Sequence, residues 1–238
     1  MIEPTALFWV GAFGMAAGTV AFVWGGIAAS AAYRRYYAVL TSISLIAAVA
    51  YALMALEIGW IPVGEDTVFV PRYIDWILTT PLLLYFLALL AGSDRRQVGL
   101  VVGINTVVMV LGFAAALLEG AIGYGLFAVA ALAYLGLLYL LLGPMTEEAA
   151  DQGHGVRAVF TSLRNLTVVL WSIYPIVWLL GPPGIGIVSL TVDVMLITYL
   201  DLLTKVGFGL IALNASAVLE AELGRTLAGT ADGSGAGE

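Results

Sequence analysis

The stretch LTVDVMLITYLDLLTKVGFGLIALNASAV, residues 190–218, is apolar along most of its length, yet it holds Asp201 and, one helical turn later, Lys205, the only lysine in 238 residues. A charge at the centre of a membrane helix costs about 2.5–3.5 kcal/mol on insertion scales, so a chain that keeps one is expected to use it. Lys205 stands many residues from either end of its run, too far inside for the ammonium to snorkel easily to an interface. Lysine is also the side chain that condenses with carbonyl compounds, and burial and neighbours tune its amine readily. A purely structural ion pair with Asp201 is the competing account, and the rarity of intramembrane charge weighs against it.

The rest of the composition fits a bilayer. Hydrophobic residues make up 62 % of the chain and charged ones 11 %, whereas soluble domains carry about 25 % charged. The apolar runs predict an all-α bundle of seven transmembrane helices, near 4–26, 36–57, 71–92, 97–118, 122–142, 158–181 and 189–219, each close to the ~20 residues that cross a bilayer. The first run has no basic stretch before it and no small-residue cleavage site, so it is expected to be a retained helix. Arg34, Arg35, Arg95, Arg96, Arg157, Arg164 and Arg225 all fall on one face of this arrangement, and Glu3, Glu65, Asp66, Glu119 and Asp193 on the other. Basic loops stay cytoplasmic, which predicts a multi-pass plasma-membrane protein with its N-terminus outside and its C-terminus inside.

Between the second and third runs, GWIPVGEDTVFVP places Gly64-Glu65-Asp66 between short β-prone segments, which predicts a small extracellular β-hairpin. Residues 1–222 read as one membrane domain, and 223–238, rich in Gly, Ala and Asp, as a disordered cytoplasmic tail. Zero cysteines exclude disulfides and thiolate metal sites, and the single histidine, His154, expected to be solvated in the fifth connecting loop, leaves no zinc cluster. The net charge of −7 gives no reason to expect a nucleic-acid partner and suits a high-salt surface.

The third run, PRYIDWILTTPLLLYFLALL from Pro71, puts Arg72, Asp75 and Thr79 on one helical stripe, with Trp76 and Thr80 beside it. Arg72 and Asp75 could simply neutralise each other, but that leaves Asp201 and Lys205, an i, i+4 pair on the seventh run, without a reason to share the interior. If the two pairs converge, Asp75 and Asp201 balance Lys205 and Arg72, and a protonated imine on Lys205 is held between anions. Trp171, Tyr174, Pro175 and Trp178 repeat at helical spacing on the sixth run. Such stripes often only pack or anchor at interfaces. Opposite a buried lysine they suit a flat apolar slot for a long conjugated aldehyde.

The strings RYIDWILTTPLLLYF (72–86), LRNLTVVLWSIYPIVWLLG (163–181) and YLDLLTKVGFG (199–209) resemble the third, sixth and seventh helices of microbial rhodopsins, and RRYY, AYALMAL and LLGPM extend the likeness over nearly all the chain except its tail. The resemblance implies all-trans retinal bound covalently to Lys205 as a protonated Schiff base. It implies Asp75 as primary counterion and proton acceptor, Asp201 as second counterion and Arg72 as the cation beneath them. Trp76, Trp171, Tyr174 and Trp178 match the rings around the polyene. Val108, Met109, Gly112, Phe127, Ala130 and Thr204 match further pocket positions, with Ala130 near the ring end, and Thr79, Thr80 and Tyr51 match polar groups around the counterions and the pocket.

Within that family Asp75 argues against a chloride pump, whose members carry a neutral hydroxyl residue there. Proton pumps usually place a second carboxylate eleven residues further along the helix, about 16 Å inward at 1.5 Å per residue. Here that position is Phe86. Without an internal donor, reprotonation is expected to be slow, which suits a sensor better than a pump. The chain is most similar to the sensory rhodopsin II group, blue-light repellent receptors of salt-loving archaea, which are photoreceptors and not enzymes. The likeness implies a hydroxyl pair, Tyr174 and Thr204, used in signalling. It also implies a two-helix membrane transducer of the methyl-accepting type on helices six and seven, near Tyr199, Ser189 and Arg157. Ser189 and Arg157 are conservative replacements of the residues that close relatives carry. The runner-up function is a slow light-driven outward proton pump. A transporter without chromophore is disfavoured because neither internal repeats nor broken helices are evident.

Overall fold

The computed structural model describes residues 3–31, 33–118 and 120–215. Glu119, Arg225, the boundary at 222 and the 223–238 tail therefore lie outside the described residues. Among the described residues seven stretches are long and apolar enough to cross a membrane: Pro4–Ala28, Arg34–Ala55, Val70–Ala91, Arg95–Leu117, Gly120–Ala150, His154–Leu180 and Leu190–Asn214. They are called spans one to seven. The first four consist of α1 (Pro4–Ala28), α2 (Arg34–Ala55), α3 (Val70–Ala91) and α4 (Arg95–Leu117). Span five joins α5 (Gly120–Leu142) to the short α6 (Pro144–Ala150), and span six joins α7 (His154–Trp171) to α8 (Ile173–Leu180). Span seven runs through α9 (Leu190–Leu202), a π turn (Leu203–Gly207) and α10 (Phe208–Asn214).

Local chemistry sets several of these ends. Proline occupies the first turn of α1, α3 and α6, where its missing N–H costs nothing and its fixed φ already suits a helix. Asp94 caps α4 by accepting from the Gln97 amide at 2.7 Å. Span six breaks at Ser172 because Pro175 has no N–H to offer the Trp171 carbonyl four residues back. His154, expected in a loop, is the exposed first residue of α7. Span six thus starts earlier than the apolar run, because an amphipathic first turn can extend a helix beyond the hydrocarbon.

The hairpin forms between spans two and three, with β1 (Trp60–Val63) antiparallel to β2 (Asp66–Phe69) and Val63 opposite Asp66. Gly64 opens its two-residue turn at φ +57, the conformation that a tight hairpin of this kind asks of its first turn residue. Phe8, Trp60 and Phe69 meet edge to face at 5.0–6.1 Å between centroids, and Trp60 donates to the Met54 carbonyl at 3.0 Å. These contacts fix the hairpin over the ends of spans one and two.

Spans one to seven pack in a ring in chain order, and span seven returns to span one. Span five lies closely on span four but only loosely on span six. The outer surface is apolar: Trp24 is 77 % exposed and Leu132 69 %, as expected of side chains that face lipid. The interior divides into two halves. Tyr36, Leu83, Phe86, Phe160 and Phe208 fill the half away from the hairpin, whereas the hairpin half contains the buried charges.

Candidate functional site

Lys205 is the centre of the buried polar cluster, 2 % exposed. It lies inside the π turn Leu203–Gly207, a wider turn often found at functional sites. Its Nζ donates to Asp75 Oδ2 and stands 3.5 Å from Asp201 Oδ2. Asp75 and Asp201 are each 1 % exposed, so Lys205 faces two carboxylates away from water. Removing either partner of such an arrangement leaves an uncompensated buried charge.

Asp201 is held by three donors from three spans. Tyr51 donates to Oδ2 at 2.8 Å, Tyr174 to Oδ1 at 2.7 Å and Trp76 to Oδ1 at 3.2 Å. These three donors fix the orientation of the Asp201 carboxyl group beside Lys205. Tyr51 reaches it because Gly11 offers no Cβ; a side chain there would collide with the Tyr51 ring. Thr79 donates to the backbone carbonyl of Asp75 at 2.8 Å, and Thr80 donates to the Trp76 carbonyl at 2.6 Å while accepting from Asn105 at 2.7 Å. Thr204 lies 3.3 Å from the Tyr174 hydroxyl and donates to the Asp201 carbonyl at 3.3 Å.

One expectation is corrected. Arg72 does not balance Asp75 and Asp201; its Nη1 pairs with Asp193 Oδ2 at 2.9 Å. Asp193, expected on the outer face with the solvated acids, is only 5 % exposed. The cluster thus has two cations, Lys205 and Arg72, and three carboxylates, Asp75, Asp193 and Asp201, and its formal sum is −1 rather than zero. The sequence could have hinted at this pairing: Asp193 and Asp201 are eight residues apart, close to the same face of one helix.

Beside Lys205 opens a cavity of about 120 Å³. All twelve residues expected to bind the cofactor line it. Lys205 and Thr204 contribute from span seven, Trp171, Tyr174 and Trp178 from span six, and Phe127 and Ala130 from span five. Val108, Met109 and Gly112 contribute from span four, and Trp76 and Thr80 from span three. The rings form a slot: Trp76 meets Tyr174 edge to face at 5.3 Å, and Phe127 stacks on Trp178 at 4.3 Å with 10° between planes. Arg72, Tyr73, Leu83, Ala131, Tyr134, Pro175, Pro183, Asp193, Ile197 and Asp201 complete the wall, and several of them lie where the sequence reads as ordinary packing. A narrow apolar slot with a nucleophilic amine at one end fits a flat conjugated aldehyde.

The three residues expected at a partner surface lie outside this cavity. Tyr199 is 57 % exposed on α9, Ser189 is the exposed N-cap of the same helix, and Arg157 is exposed on the first turns of α7. Among the described residues no group of acidic, histidine or cysteine side chains could hold a metal ion.

Known proteins resemble the chain over nearly all its length. The chain is 59 % identical over 229 residues to Sensory rhodopsin-2 of Natronomonas pharaonis, covering 96 % of each protein. It is 41 % identical to Sensory rhodopsin-2 of Haloarcula vallismortis, covering 90 % of this chain and 92 % of that one. The fold superposes on the crystal structure of thermophilic rhodopsin from Rubrobacter xylanophilus with a TM-score of 0.88 at 38 % identity, over 91 % of this chain and 97 % of that one. The family model described as bacteriorhodopsin-like protein matches residues 4–219, and the chain belongs to that family.

Proposed function

We propose that this chain is a retinal photoreceptor of the sensory rhodopsin II type, which receives blue light and passes the signal to a membrane transducer. The observation that carries it is the slot of rings ending at a buried lysine between two carboxylates, in a chain whose relatives at 59 % and 41 % identity bear the name sensory rhodopsin. When bound to Lys205 as a protonated Schiff base, all-trans retinal supplies visible absorption and light-driven isomerisation.

The protein's own groups do the rest. Lys205 provides the attachment nitrogen. Asp75, in direct hydrogen-bond contact with that nitrogen, is placed to accept its proton. Asp201, fixed by Tyr51, Trp76 and Tyr174, is the second carboxyl group beside the attachment nitrogen. Arg72, paired with Asp193, supplies a cation on the hairpin side of the cluster. Trp76, Trp171, Tyr174 and Trp178 confine the polyene and keep water from the attachment point. Val108, Met109, Gly112, Phe127 and Ala130 shape the slot further along.

Orientation follows the basic loops, with the hairpin outside and the α6 side in the cytoplasm. Phe86, fully buried against Tyr36 and Phe208 at 5.5 and 5.4 Å, occupies the position where an internal proton donor would serve a pump. Return of the proton to Lys205 is therefore slow, which prolongs the signalling state. Thr204 and Tyr174 couple the attachment site to span six, and Tyr199, Ser189 and Arg157 belong to the surface of spans six and seven that meets a two-helix, methyl-accepting transducer. Thr204→Ala tests this route: colour and light-driven proton transfer remain, while the response of cells carrying the transducer disappears. Undiminished phototaxis in that variant overturns the coupling.

A further inference from the structure

Retinal is an apolar aldehyde that dissolves in hydrocarbon, and the cavity holding Lys205 must admit it. The following rests on the retinal reading above. On the hairpin side the way in passes the Arg72 and Asp193 ion pair, a poor path for a polyene. A second hollow lies on the lipid-facing surface between span five and the break in span six. Ala128, Leu132, Leu135 and Leu138 line it from α5, and Ser172 and Pro175 from the break. Leu132 and Leu135 are 69 % and 58 % exposed, so acyl chains can reach it.

Ala131, Tyr134 and Pro175 line both this hollow and the chromophore cavity. One layer of side chains therefore separates the cavity from the bilayer. Nearer the hairpin the corresponding gap is shut by the stacked pair Phe127 and Trp178. At the thin wall a polar contact crosses between the spans: Tyr134 and Ser172 hydroxyls lie 3.1 Å apart. Ser172 gives its own proton to the Val168 carbonyl at 2.7 Å, so Tyr134 is the donor. The backbone beside it is already interrupted, because Pro175 withholds a hydrogen bond from the Trp171 carbonyl. Spans five and six pack only loosely on each other.

We infer that the gap between α5 and the span-six break is a lateral portal through which the polyene aldehyde passes from the bilayer to Lys205, with Tyr134 and Ser172 as its latch. Opening breaks one hydroxyl contact and moves side chains around a helix break, without unpacking a continuous helix.

The test is the rate of colour recovery when retinal is added to bleached protein in lipid nanodiscs. Ala128→Trp fills the hollow from a position outside the chromophore cavity and should slow uptake by about tenfold, an added barrier of about 1.4 kcal/mol. The same variant synthesised with retinal present should reach the wild-type absorbance, which separates blocked passage from misfolding. Tyr134→Phe and Ser172→Ala remove the latch and should speed uptake. Val20→Trp, on the lipid face of span one, where Val20 is 69 % exposed, should match wild type. Equal rates for Ala128→Trp and wild type overturn the portal, as does equal slowing by both tryptophans. No colour in wild type at any time overturns the retinal reading along with it, whereas colour formed at unchanged rates overturns the portal alone.

Discussion

The two halves of the bundle interior are built on opposite principles. Toward the hairpin, five ionisable side chains share the space between spans three and seven, and Tyr51, Trp76 and Tyr174 donate to one of them. Away from the hairpin, Phe86 is wedged edge to face between Tyr36 and Phe208, and Leu83, Leu87 and Phe160 close around them. The difference gives the site a direction. On the proposed function a proton leaving Lys205 has an acceptor in contact with it on the polar side, and among the described residues the rings on the other side offer no carboxylate to replace it.

Removing Lys205 should break this comparison most completely. Lys205→Ala leaves Asp75 and Asp201 without their buried cation and should lower stability, and the protein that folds should be colourless even with excess retinal; normal visible absorbance would refute the attachment site. Neutralising Asp75 comes next. A negative charge beside the attachment nitrogen stabilises the ground state more than the excited state, in which positive charge moves toward the ring. Asp75→Asn should therefore shift the absorption maximum to the red and abolish the light-driven proton transfer. A blue shift, or none, would count against Asp75 as counterion.

The apolar half can be tested by giving it what it lacks. Phe86→Asp should partly shorten recovery after a flash, and azide, a small membrane-permeant acid, should shorten it in the unmodified protein. Recovery that is already complete within a few milliseconds without azide would contradict the role given to Phe86. The smallest effect is expected at Asp193. Asp193→Asn keeps an acceptor for Arg72 but removes the charge, and should lower stability by about 1–3 kcal/mol, read from the midpoint of thermal colour loss. An unchanged midpoint would mean that Arg72 finds equal compensation at Asp75 or Asp201.

Much of this asymmetry is legible in the chain. Lys205, Asp201 and Asp75 stand out because a charge inside twenty apolar residues is costly, and the seven spans follow from hydropathy. Gly64-Glu65 announces the hairpin through turn chemistry. Asp193 was less visible because it lies in the first turn of its helix, where an acid ordinarily faces solvent and the N-terminal dipole favours it; only the packing of span three against span seven turns it to Arg72. The π turn at Leu203–Gly207 leaves no mark in a run of ordinary helix formers. The latch between Tyr134 and Ser172 pairs two common residues 38 positions apart, and nothing local distinguishes them.

On the proposed function, light received at Lys205 becomes a signal only through a partner membrane protein. Motile cells producing this chain, with and without a transducer, should be compared under blue light. The prediction is a repellent response when both are present and none when the transducer is missing, whatever proton movement the chain shows alone. A full response in cells lacking any transducer would contradict it.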